Sequence, residues 1–201
     1  MKIANTFLGG IIFITILVQV LLVYGHREAY LKQLTQKEIT KHTVFRDLRN
    51  KGTIKAIKAK GIRFKLYLGA DKQGFQHDYR RVGLSYSKQG DTLKISATSN
   101  RYDPIDFCEL YFPQVTQISL VNSYVTLVTQ KKVDLTATIK QNSVLAVESG
   151  KLGMFNTTVA DSSVLRLGKH IQIDQPEIKL ADKAIFQNNN AKVGKVKTDR
   201  L

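Results

Sequence analysis

Acidic side chains are scarce in this chain of 201 residues: 16 Asp and Glu stand against 31 Lys and Arg, a formal net charge of +15. Cysteine is scarcer still. The single thiol, Cys108, excludes an intramolecular disulfide, and its place in the alternating run Ile105 to Leu110 reads as a buried, inert side chain. No cysteine follows the N-terminal apolar run, which excludes a bacterial lipoprotein. The four histidines, His26, His42, His77 and His170, lack metal-ligand spacing, and there is no P-loop, dinucleotide fingerprint or nucleophile elbow. No catalytic residue, cofactor site or metal site can be assigned, and the chain is expected not to be an enzyme. Helical periodicity is also missing after about residue 48, so the body is expected to be all-β.

What is present begins with an apolar run. Ile3 to Val23 carries no ionisable side chain, and a helix of about 20 such residues spans the roughly 30 Å of a hydrocarbon core. Residues 1–25 are therefore expected to form a transmembrane anchor. A cleaved signal sequence is the alternative, since Val23 and Gly25 suit a peptidase site, but the run exceeds the roughly 7 to 15 apolar residues of a signal peptide. The flanks disagree about orientation. Arg27, Lys32, Lys37 and Lys41 against Lys2 place the body in the cytoplasm by the positive-inside rule, whereas a short basic tail before an apolar run is also how an export signal begins. Residues 26–50, with Ala29, Leu31 and Leu34 among helix formers, read as a juxtamembrane helix or stalk.

The basic excess is local. Residues 41–101 hold 15 Lys and Arg against 4 Asp and Glu, while residues 102–201 hold 12 against 10. Strand alternation in this stretch, Ile62, Phe64, Leu66 and Leu68 on one face, turns Lys55, Lys58, Arg63, Lys65, Arg80 and Lys94 outward as a candidate surface for an anionic partner. Nucleic acid is the reflex partner for such a surface. A membrane anchor and the lack of an RNA-binding signature or aromatic platform argue against it, Tyr67, Tyr79 and Tyr86 being explained by strand propensity. Acidic polysaccharide, lipid head groups or another envelope protein are the partners expected instead.

From Val115 onward the chain repeats itself. Ser123-Tyr-Val-Thr-Leu127, Ser143-Val-Leu-Ala-Val147 and Ser163-Val-Leu-Arg-Leu167 begin 20 residues apart (143 − 123 and 163 − 143), and Lys183-Ala-Ile-Phe186 follows. A period near 20 with few hairpin signals predicts a parallel β-helix, a solenoid whose coils of about 20 residues stack like residue over like. Its inward column is expected to be Val125/Leu127, Leu145/Val147, Leu165/Leu167 and Phe186, with Leu135, Ile139, Phe155, Val159, Ile178 and Leu180 at the other corner. The β-helix domain is bounded at 51–190, with 191–201 a basic tail or cap. Asp161 and Asp182 fall in one column and Asp134 and Asp174 near the opposite corner, the only candidates for carbohydrate-active chemistry.

Gly90-Asp-Thr-Leu-Lys-Ile95, Tyr111-Phe-Pro-Gln-Val115 and the repeated x-Ser-x-Val/Leu-x-Leu phrase, over about residues 53–190, resemble the head GIN domain family, the auto-transporter adhesin-like proteins of Bacteroidetes-type bacteria. Ser149-Gly150 keeps that family's Ser-Gly pair, and Asn122-Ser123 and Ser162-Ser163 stand in its place elsewhere. The resemblance implies a right-handed β-helix, exported from the cytoplasm, with no established enzymatic activity and no catalytic residues. It favours a single-pass inner-membrane protein with a periplasmic body and an adhesin-like binding role. A cytoplasmic, bactofilin-like scaffold that polymerises through its solenoid ends is the alternative, and a β-helix enzyme acting on carbohydrate a third reading.

Overall fold

Period-two alternation gives strands wherever the chain is described. The computed structural model describes residues 43–78, 84–97, 108–181, 183–194 and 197–200. The expected anchor and most of the expected stalk lie outside these residues, as do Arg80 and Asp182. Residues 43–201 form one compact unit. Its strands are β1 (Thr43–Asp47), β2 (Ala56–Lys60), β3 (Arg63–Leu68), β4 (Gly74–Asp78), β5 (Leu84–Gln89), β6 (Thr92–Ala97), β7 (Cys108–Phe112) and β8 (Gln117–Val121). They continue with β9 (Tyr124–Thr129), β10 (Val133–Lys140), β11 (Val144–Val159), β12 (Val164–Leu180), β13 (Ile185–Asn188), β14 (Lys192–Val193) and β15 (Lys197–Arg200). A 3-10 turn at Arg49–Lys51 is the one helical element among the described residues. Thr43–Asp47, assigned from sequence to the stalk, is thus a strand.

All strands belong to one mixed sheet, ordered β1-β4-β7-β3-β9-β11-β10-β8-β2-β6-β5, with β12 laid on β11 and β13, β14 and β15 on β12. Strand β11 pairs with β9 through Val144 to Ser149 and with β10 through Leu152 to Val159. The sheet therefore curls at β11 and β12, and its two limbs enclose a single core. Leu66, Leu110, Leu127, Leu145 and Leu165 enter from the β9 limb, and Ile57, Leu93, Leu120, Ile139 and Phe155 from the β10 limb, all at 1 % exposure or less.

A uniform parallel solenoid over 51–190 is not what forms, and the expectation is corrected in two respects. First, β1–β4, β4–β7 and β5–β6 pair antiparallel, because Gly69 to Gly74 and Gln89-Gly90-Asp91 reverse the chain. Second, stacking does not follow chain order. Strands β2 and β3 lie between the later pairs, β2 bonded to both β6 and β8 and β3 to both β7 and β9. The repeated region does keep the expected step: Tyr124, Val144, Val164 and Ile185 lie in one parallel register, as do Val125, Leu145, Leu165 and Phe186. Residues 192–193 and 197–200, read as tail, add in parallel to β12.

The repeated serine has a physical reason. Ser123, Ser143 and Ser163 are buried, and each hydroxyl accepts an amide from the neighbouring repeat: Ile62 N–H to Ser123 Oγ at 3.4 Å, Ser123 N–H to Ser143 Oγ at 3.1 Å, and Ser143 N–H to Ser163 Oγ at 3.1 Å. Ser123 and Ser143 also donate to the carbonyls of Val121 and Lys140 in their own turns. The ladder stops where alanine replaces serine at 184, and the Ser163 amide turns to Ala160 O at 3.1 Å instead. Each buried amide at this corner thus has an acceptor, as a dry sheet interior demands. The preceding residues Asn122, Asn142, Ser162 and Lys183 all have positive φ, the same corner that Gly61 makes in the first repeat.

Candidate anion-binding face

On the β10 limb, inward Ile57, Ala59, Leu93, Ile95, Ile118 and Leu120 are buried, which fixes the outward set. That set is Lys58 and Lys60 on β2, Lys94 and Ser96 on β6, Ser119 and Val121 on β8, and Ser85 and Ser87 on β5. Register places Lys58 between Lys94 and Ser119, and Lys60 between Ser96 and Val121. Lys94 in turn opposes Ser87, and Ser96 opposes Ser85. Adjacent strands lie about 4.8 Å apart, so the Lys58 and Lys94 backbones are immediate neighbours, with Lys60 roughly 6.6 Å further along β2. The small serines between the long lysine stems leave a trough of about 360 Å³, with Ala59, Tyr86 and Ile95 contributing to its floor.

None of the ion pairs among the described residues reaches Lys58, Lys60 or Lys94. Those pairs lie elsewhere: Arg49–Asp47, Lys65–Glu148, Lys131–Asp71, Lys132–Asp174 and Lys179–Glu177. Like charges directly opposite across strands disfavour the sheet. Hydroxyls line the trough as further donors, and among the described residues no carboxylate does. This arrangement can hold an anion by charge and hydrogen bonding.

The six residues named from sequence separate. Lys58 and Lys94 meet in the trough. Lys55 is exposed just before β2, where its carbonyl accepts the Thr116 and Gln117 amides. Arg63 and Lys65 lie on the other limb: the Arg63 guanidinium sits 4.6 Å from the centroid of the Tyr124 ring, and Lys65 Nζ is 3.8 Å from Glu148. Arg80 lies outside the described residues. Lys60 and the four serines were not singled out from sequence, although alternation alone puts Lys60 on the Lys58 face.

The β9 limb carries an aromatic cluster that was not singled out from sequence, where Tyr67 is given to strand propensity. Tyr67 and Tyr111, cross-strand neighbours on β3 and β7, stack at 4.7 Å and 4°. Tyr67 OH donates to Glu109 at 3.1 Å, and Tyr111 OH donates to the other oxygen of the same carboxylate. Partial burial first, then the Glu109 charge, push the Tyr67 phenol up to about 12 and raise Tyr111 as well. Lys72 Nζ lies 3.6 Å from the Tyr111 centroid and Lys65 Nζ 5.5 Å from that of Tyr67. With its outer faces covered by the protein's own cations, the pair acts as a brace between strands.

The acidic candidates among the described residues do not form a carboxylate pair. Asp134 accepts the Met154 amide at 2.8 Å, Asp174 is paired to Lys132 at 2.6 Å, and Asp161 is an exposed turn residue of positive φ. No group of three or more possible metal ligands occurs among the described residues. A larger cavity of about 560 Å³ opens between the 3-10 turn and the β5–β6 hairpin, lined in part by Leu48, Ile54 and Leu93. These three are only 1–2 % exposed, and Lys51, Ser87 and Lys88 also line it.

No family model matches the sequence, and no curated protein matches it either. The chain is similar to solved structures at low identity. One is a candidate lipid-binding protein from Parabacteroides distasonis, 12 % identical at a TM-score of 0.49, with 79 % of this chain and 65 % of that one covered. This chain therefore spans less than two thirds of that protein's length. Another is a candidate adhesin from Bacteroides fragilis, 11 % identical at a TM-score of 0.42, covering 79 % of this chain and 93 % of that one. A candidate cell adhesion protein from Clostridium sporogenes is 11 % identical at 0.31, with coverages of 79 % and 98 %. Likeness at this level assigns neither family nor function. Among the described residues, no helix is long and apolar enough to cross a membrane.

Proposed function

We propose that this chain is a non-catalytic, adhesin-like binding module of a bacterial envelope whose lysine–serine trough engages an acidic polysaccharide. In this reading residues 1–25 anchor the chain in the inner membrane, and the periplasmic body is of the head GIN type. One observation carries it. Lys58 and Lys94 stand directly opposite each other on adjacent strands, in a trough lined by serines, with no carboxylate partner among the described residues. A charge pair that costs sheet stability is retained where a ligand supplies the counter-charge.

Two measurements on the full chain test this reading. Retention on immobilised polygalacturonate, absent on neutral dextran and lost as salt rises, is expected; equal retention on both matrices would sink it. For placement, Cys108 is 2 % exposed, so a Thr136→Cys variant carries one accessible thiol among the described residues. Impermeant maleimide should label it from the periplasmic side of vesicles of known sidedness. Labelling from the cytoplasmic side only would overturn the periplasmic placement and favour the scaffold reading, which the lysines and arginines after the apolar run also favour.

A further inference from the structure

We infer that the trough is built for a phosphate monoester, so that the polysaccharide it engages carries pendant phosphate groups; the inference rests on the binding role proposed above. Three features lead to it. The first is charge. A phosphate monoester carries about −1.5 to −2 at pH 7, which matches two adjacent ammonium groups, whereas a carboxylate or sulfate ester carries a single charge.

The second is donor type. Among the described residues the trough has lysines and no arginine: Arg63 is engaged with Tyr124 on the other limb, and Arg46 donates to Tyr86 OH at 2.7 Å. Lysine binds phosphate as a mobile point charge, without the planar fork by which arginine grips either a carboxylate or a phosphate. Lys58, Lys60 and Lys94 approach from two strands and two levels, a spread that three non-coplanar oxygens satisfy and two coplanar ones do not.

The third is the hydroxyl set. Ser85, Ser87, Ser96 and Ser119 surround the three lysines, and no side-chain hydrogen bond to another described residue commits them. Each can donate to an oxyanion. At about 360 Å³ the trough takes a phosphate with the sugar that bears it and lies near the lower end of the usual size of a small-ligand site, about 300 to 1,000 Å³.

Thermal unfolding of the full chain with glucose 6-phosphate, and with glucuronate at equal ionic strength, tests the inference. At tenfold excess over its dissociation constant the sugar phosphate should raise Tm by on the order of 3 to 6 °C, and glucuronate by clearly less. In the Lys58→Gln/Lys94→Gln variant the phosphate shift should vanish, while the unliganded variant at low salt melts above the wild type because the cross-strand repulsion is gone. Equal shifts from the two sugars, a shift retained in the variant, or a variant that melts below the wild type would each overturn the inference. Polygalacturonate separates this outcome from failure of the broader reading. Lysine-dependent binding of that polymer without a preference for phosphate removes only the phosphate assignment, whereas loss of both removes the two together.

Discussion

Ser143 bonds to both neighbouring repeats. Its Oγ accepts the Ser123 amide, its own amide donates to Ser163, and its hydroxyl proton goes to Lys140 O. Ser143→Ala leaves the buried Ser123 amide without an acceptor, and the expected loss is about 2 kcal/mol, read as a lower midpoint in urea at unchanged slope. Thr157 is the opposite case. Its Oγ1 is buried in the core column without a partner in the structure, at 3 % exposure. Thr157→Val, close in shape, is expected to be neutral or to stabilise by up to about 1 kcal/mol; a loss above that size would show that the hydroxyl has a partner. The sequence displayed the serines as a repeated phrase but not their role. A hydroxyl aimed at the next repeat's amide needs the register, and the register comes from pairing.

At the scale of elements, the inward columns were legible because period two and period 20 agree: Val125, Leu145 and Leu165 alternate with polar neighbours and recur at one step. Lys60 was equally readable from alternation. The Tyr67–Tyr111 brace was not, since it depends on β3 choosing β7 across a separation of 44 residues (111 − 67), and both tyrosines read as ordinary strand residues. The brace has a pH signature. Both phenols are raised above the ordinary tyrosine value of 10, so the neutral form is favoured in the folded state. The contribution is complete below pH 10 and is lost as pH rises through about 12 for Tyr67. Tyrosinate absorbance is expected to show a late-titrating group in the wild type that is absent from Tyr67→Phe/Tyr111→Phe. The same titration curve for both proteins, scaled for tyrosine number, would contradict the brace.

For the whole molecule, composition located the charge but not its partition. The middle of the chain holds the basic excess, yet the curl of the sheet divides it, sending Lys58, Lys60 and Lys94 to one outer face and Arg63 and Lys65 to the other. Insertion of β2–β3 between later strands brings Lys58 beside Lys94. Nothing in a hydrophobic pattern marks that order, because parallel strands of equal alternation are interchangeable partners until the connections are placed. A chain of net charge +15 binds polyanions to some degree wherever its cations lie, so the claim of a specific face needs a control of equal charge. The decisive measurement is the affinity of the full chain for an acidic polysaccharide at fixed salt. Lys58→Gln/Lys94→Gln is compared with Arg166→Gln/Lys151→Gln, two exposed cations outside the trough. The trough variant is predicted to bind about tenfold more weakly, equivalent to about 1.4 kcal/mol, with the control within about twofold of wild type; equal losses in the two variants would contradict a localised site.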